Sequence, residues 1–188
     1  EVGGGRLGLS FSDGTSERET HGLYATRYHA PYREVLDSSL TGGEGGFLLA
    51  RAEVWGGQSV TDIIWPGDLD ADMSAATEDN VGGLPAAIAG LVSLASSGFP
   101  HFGSDTGGYR GGTPDRETLL RWAEHTAFTP IMQLGGGGDH HDPWLPPFDV
   151  GDGVGIYRRL ARAHMELVPY YRALAIRAHT DGTPAILH

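Results

Sequence analysis

The 188-residue chain carries 24 acidic against 13 basic side chains, a formal charge of -11, and no cysteine. That charge disfavours nucleic acid and anionic membranes as partners, since both reward basic patches, and the lack of cysteine excludes disulfides, zinc–thiolate sites and thiol catalysis. All the basic residues are Arg, and no apolar run approaches the roughly 20 residues a bilayer span needs.

Residues 1–19 are rich in Gly, Ser and charge and read as a loop. From Thr20 to Leu36, Leu23, Tyr24, Tyr28, Tyr32 and Leu36 recur at helical spacing, with Thr20 as N-cap and Pro31 expected to kink the helix. Phe47-Leu48-Leu49-Ala50-Arg51 and Thr61–Ile64 are short apolar runs of strand length. The second leads into Trp65-Pro66-Gly67-Asp68. Leu84–Ala95 is an apolar helix with Pro85 in its first turn, ended by Gly98. Phe99–Asp105 reads as a strand ending in a carboxylate, Asp115–Ala127 as a helix, and Phe128–Leu134 as another strand. Val154–His179 has long 3.6 periodicity with a kink expected at Pro169, and Pro184–Leu187 reads as a last strand. The chain opens on Glu1 rather than Met and stops on Ile186-Leu187-His188 in an apolar run, as expected of a piece of a longer protein.

Short apolar strands alternating with helices argue for parallel βα units. A doubly wound sheet is disfavoured because no glycine cluster sits between strand and helix as a phosphate loop, and without Lys that loop cannot form. A (β/α)8 barrel fits better, because its chemistry sits at strand C-termini, and these strands end in Arg51, Asp68 or Asp105. Four strands are half of such a barrel, so residues 1–188 are expected to be one partial catalytic barrel.

A carboxyl group beside an aromatic wall, as Asp68 beside Trp65, can retain a proton for donation; an ordinary Pro-Gly turn is the alternative. Arg51, Trp65, Asp68, Asp105 and the His140-His141 region together suit sugar chemistry. Carboxylates and Arg pair with hydroxyls, and aromatic faces stack on pyranose C–H surfaces. Asp139-His140-His141-Asp142 could be a metal site or a polar loop. Adjacent residues rarely face one ion, so beside the polar loop a histidine contact to a sugar hydroxyl is preferred to a metal, and no metal or cofactor is expected. Gly107-Gly108 would let a substrate approach the backbone. His21, His29, His125, His164 and His179 read as packed or surface histidines, and Trp122, Phe128, Tyr157 and Tyr171 as core.

These residues resemble glycoside hydrolase family 31, the α-glucosidases, α-xylosidases and their relatives. His21-Gly22-Leu23-Tyr24 resembles the family's His-Asn-x-Tyr helix start, and Phe47–Ala52 its strand ending in Ser-Arg-Ser. Gly56-Gly57-Gln58 followed by Trp65-Pro66-Gly67-Asp68 is similar to Gly-Ser/Gly-Gln and then Trp-x-Gly-Asp. Gly98-Phe99-Pro100, Gly103–Tyr109 and Arg121-Trp122 follow the family's Gly-x-Pro, Gly-x-Asp-x-Gly-Gly-Phe and Arg-Trp run.

The resemblance implies a TIM barrel, of which this chain covers roughly strands five to eight, and a retaining α-glycosidase acting on a carbohydrate substrate. It assigns Asp68 as general acid/base, Arg51 and Asp105 as hydroxyl contacts, and Trp65 as a wall of the subsite. The nucleophile Asp would lie one to three positions before Glu1. A transglycosylase or lyase of the family, or a non-catalytic sugar-binding relative, would share these residues. Two departures bear on which sugar is read. Phe128-Thr129-Pro130-Ile131-Met132 is followed by Gln133-Leu134-Gly135 instead of Arg-Asn-His, with His141 as a substitute imidazole, and His101 replaces an aromatic.

Overall fold

The computed structural model describes residues 8–38, 46–136 and 140–185. Glu1, Gly3–Gly5, Gly42-Gly43, Asp139 and the end of the last expected strand lie outside those residues. The chain divides into two compact units, residues 1–62 and 63–188.

In the first unit the helical region begins earlier than the apolar spacing indicates. Ser16, not Thr20, is the N-cap of α1 (Glu17–Thr20). The Ser16 N–H donates to Glu19 Oε2 at 2.9 Å and the Glu19 N–H returns to Ser16 Oγ at 3.4 Å, a capping box written as Ser-x-x-Glu. Thr20 is instead buried, at 2 % exposure. A 3-10 turn, His21–Leu23, leads into α2 (Tyr24–Asp37), which runs through Pro31. That proline costs the helix one backbone bond, the one an N–H would have given to the Arg27 carbonyl. Strand β1 is Leu49–Ala50, with Arg51 directly after it, and a second 3-10 turn follows at Gly57–Ser59. Asp62 closes the unit, accepting from Arg33 Nη1 at 2.8 Å and from the Leu48 N–H at 2.7 Å.

The second unit runs β2 (Ile63–Ile64), α3 (Leu84–Ser96), β3 (Asp105–Thr106), α4 (Arg116–Thr126), β4 (Gln133–Leu134), α5 (Gly153–Glu166) and α6 (Val168–Asp181). Its strands are parallel neighbours in chain order. Ile64 bridges Phe102, its N–H donating to the His101 carbonyl at 3.0 Å, and β3 pairs with β4 through Asp105↔Gln133 and Thr106↔Leu134. Helices α3 and α4 make the crossovers, so this is the βαβαβ arrangement expected of parallel units. Among the described residues the strands are two residues long and no barrel closes.

Helix α3 buries Leu84, Ala87, Leu91 and Ala95, spaced three or four apart. Helix α4 starts on Asp115, whose carboxylate accepts the Thr118 N–H at 2.7 Å, and buries Leu119, Leu120, Trp122, Ala123 and Thr126. Trp122 joins Leu69, Leu84 and Ala87 in the core, and its indole N–H donates to Ser104 Oγ at 3.1 Å. Thr106 and Thr126, both fully buried, share a hydroxyl bond of 2.9 Å. Helix α4 is therefore locked to the β3 segment at two polar points.

Three expectations are corrected here. The Phe99–Asp105 strand shifts C-terminally, so Asp105 opens β3 rather than ending the strand. Phe128 is not core: it follows α4 in a turn and is 65 % exposed. The long C-terminal helix is two helices divided at Leu167, because Pro169 can be housed only in the first turn of a new one.

Candidate active site

The site is built from the turn beyond β2 and from β3. Buried Ile63 and Ile64 carry the chain into Trp65, itself buried, and Gly67 at φ +89° then turns it so that half-buried Asp68 follows. The indole N–H of Trp65 donates to Asp105 Oδ2 at 3.1 Å. Gln133, opposite Asp105 on β4, contributes a longer Nε2–H contact of 3.5 Å to Oδ1. Asp105 is 6 % exposed, and its pKa is raised above the ordinary carboxylate value. Burial is the largest cause, and the nearby charge of Asp68 adds to it; the Trp65 and Gln133 bonds and the charge of His141 work in the opposite direction. Two acidic side chains thus share one electrostatic site, and the buried one is driven toward its neutral form.

The glycines of this region make room for protein. Any Cβ on Gly103 would overlap the Trp65 ring and Ile131, and one on Gly135 would overlap the Asp105 carboxylate. Gly108, at φ +84°, lies so close to Asp70 and Ala71 that only a residue without Cβ fits. This corrects the expectation that Gly107-Gly108 opens the backbone to substrate. The close approach is made by the 69–71 segment, which pairs with 109–110 through Tyr109 N–H to Leu69 O at 2.9 Å and Ala71 N–H to Arg110 O at 2.8 Å. The two strand ends are thereby stitched together beyond the sheet. Arg110 Nε adds an ion pair to Asp70 at 2.6 Å.

His141 is 4 % exposed, and its Nδ1–H donates to the Thr106 carbonyl at 3.1 Å. A carbonyl only accepts, so Nδ1 carries a proton. Gly107 permits this contact, since a Cβ there would meet Nδ1 at 2.9 Å. His140 is exposed and sets its ring edge-on to Phe148 at 5.7 Å, so the adjacent histidines engage different partners. Of the expected site residues, Trp65, Asp68, Asp105 and His141 come together in the second unit. Arg51 belongs to the first, where it lines a cavity of about 490 Å³ with His21, Tyr24, Tyr28, His29 and Glu53. Gln133 and Glu53 were not among the expected site residues. Gln133 is signalled only by its place opposite Asp105, a pairing the sequence does not state.

The family domain described as "Glycosyl hydrolases family 31 TIM-barrel domain" matches residues 7–174. The chain belongs to glycosyl hydrolase family 31. It is 29 % identical to an alpha-xylosidase of Emericella nidulans over 94 % of its own length and 21 % of that protein's. It is 32 % identical to a 1,3-alpha-isomaltosidase of Kribbella flavida, covering 94 % of this chain and 24 % of the relative. A solved structure in complex with cyclobis-(1->6)-alpha-nigerosyl superposes with a TM-score of 0.79 at 28 % identity, over 94 % of this chain and 24 % of that one. The family 31 chain therefore spans about a fifth to a quarter of the length of these relatives, whose names are those of glycoside hydrolases. Their family supports the TIM-barrel class. No helix among the described residues is long and apolar enough to cross a membrane.

Proposed function

We propose that the protein containing this chain is a retaining α-glycosidase that hydrolyses terminal α-linked sugars from oligosaccharides or glycosides. The observation that carries the reading is the pair of acids, Asp68 half-buried just beyond β2 and Asp105 buried in β3, with the Trp65 indole bonded to Asp105. Asp68 acts as general acid toward the leaving oxygen and then as base toward water. Asp105, Arg51 and His141 hold sugar hydroxyls, and Trp65 supports the subsite as its wall and through Asp105. The attacking carboxylate is assigned to an Asp just N-terminal of Glu1, in barrel strand four, with this chain supplying strands five to eight. Asp105 is unsuited to that role, because both its oxygens are engaged by N–H donors and burial favours its neutral form.

The test is Asp68→Asn in the full-length protein, assayed on α-glycosides with poor and good leaving groups. Activity on poor leaving groups is expected to fall by about 10²- to 10⁴-fold, the usual worth of general acid catalysis. Glycosylation with a good leaving group, which needs little protonation, is expected to be largely spared. Equal losses on both kinds of substrate would remove Asp68 from the acid role.

A further inference from the structure

Glu53 is a buried carboxylate to which the proposed reaction gives no role. Its side chain is 1 % exposed, and it is held by His29 Nδ1 at 2.6 Å, Thr26 Oγ1 at 2.9 Å and the Val54 N–H at 3.3 Å. A carboxylate is costly to bury and persists in such a place only when paired and hydrogen-bonded. The turn behind it is shaped to fit, since a Cβ on Gly57 would overlap the Glu53 carboxylate. Thr61 fastens that turn, its N–H and Oγ1–H both donating to the Gly57 carbonyl at 3.0 Å.

The location explains the cost. Strand β1 ends at Ala50, so Arg51 and the residues as far as Val54 lie beyond its ladder, without regular structure. Arg51 and Glu53 are two residues apart in the chain and line the same cavity. Both side-chain partners of Glu53, Thr26 and His29, stand on α2. The bonds of Glu53 therefore tie an otherwise unladdered segment to a rigid helix, two residues from the guanidinium.

We infer that Glu53, clamped by His29 and Thr26, is a positioning residue for Arg51, fixing where its guanidinium meets the sugar hydroxyls. This rests on the reading of Arg51 as a hydroxyl contact. A guanidinium recognises hydroxyls only in a held geometry, and a displacement of about 1 Å at a positioning group can cost as much as 10²-fold.

The test is a double-mutant cycle in the full-length protein with an aryl α-glycoside, using Glu53→Gln, Arg51→Ala and both together. Glu53→Gln keeps the shape and a bond to Thr26 but loses the charged bond to His29. With Arg51 present it is expected to lower kcat/KM about tenfold, mainly through KM, because a hydroxyl contact is made in both ground and transition states. In the Arg51→Ala background the same change should cost less than about twofold, while its effect on Tm is the same in both backgrounds. Equal losses of kcat/KM in the two backgrounds would overturn the inference. An Arg51→Ala protein of full activity would also overturn it, and would do so by removing the reading of Arg51 itself. Should Glu53→Gln not fold, Thr26→Val removes a single bond to the same carboxylate, and its cycle with Arg51→Ala decides between the same outcomes.

Discussion

Trp65→Phe isolates the contact on which the site depends. The substitution keeps an aromatic ring against Gly103 but deletes the N–H that reaches Asp105 Oδ2 at 3.1 Å. A hydrogen bond to a charged group contributes about 1.5–3 kcal/mol, which at 1.36 kcal/mol per decade is roughly a 10- to 150-fold effect. The loss falls on the ionised form of Asp105, since the indole bond is one of the influences holding its raised pKa down. Ionisation should therefore move to higher pH in the variant. With kcat/KM measured against pH on an aryl α-glycoside, the acid limb is expected to shift upward, and the deficit to be larger at low pH than at high pH. A uniform loss at every pH, with the acid limb unmoved, would mean that Trp65 serves only as a wall and that its bond to Asp105 does not govern the site.

The same carboxylate makes the protein's stability pH-dependent. A folded-state pKa raised by burial means that the folded form holds the proton more tightly, so stability falls as pH rises from the ordinary carboxylate value through the raised one. Asp105→Asn lacks this penalty, and Tm scans are expected to find it gaining on the wild type across that window; a constant difference would contradict the buried-acid account. Gly135→Ala should displace the Asp105 carboxylate, because the new Cβ claims its space, and activity is expected to drop while far-ultraviolet circular dichroism is unchanged. Trp122→Ala, at a fully buried position in the core with Leu69 and Leu84, is expected to cost about 3–5 kcal/mol in denaturant unfolding.

Much of the architecture can be read from local chemistry. Pro85 and Asp115 mark helix starts, and apolar residues three and four apart mark the buried faces of α3 and α4, because these signals act within one turn of chain. The cap at Ser16 is equally local; the Ser-x-x-Glu pair specifies it, and the apolar spacing beginning at Thr20 masks it. Phe128 reads as core although it is exposed, because an apolar run adjoining a helix looks the same whether it enters the core or turns away from it. Asp105 reads as a strand's last residue because its run of apolar residues stops there, whereas it opens β3 and its backbone pairs with Gln133, a residue 28 positions away.

The sequence by itself determined the family, the βα alternation and the identity of the acids, since motif order and residue type are properties of the chain. Only the tertiary structure decided what those residues do to one another. Trp65 is a donor to Asp105, Gly108 is small because the 69–71 segment presses on it, and His141 reaches the Thr106 carbonyl because Gly107 lacks a Cβ. Burial and long-range pairing set these relations, and neither has a counterpart in residue order, because both depend on segments that become neighbours only when the sheet forms.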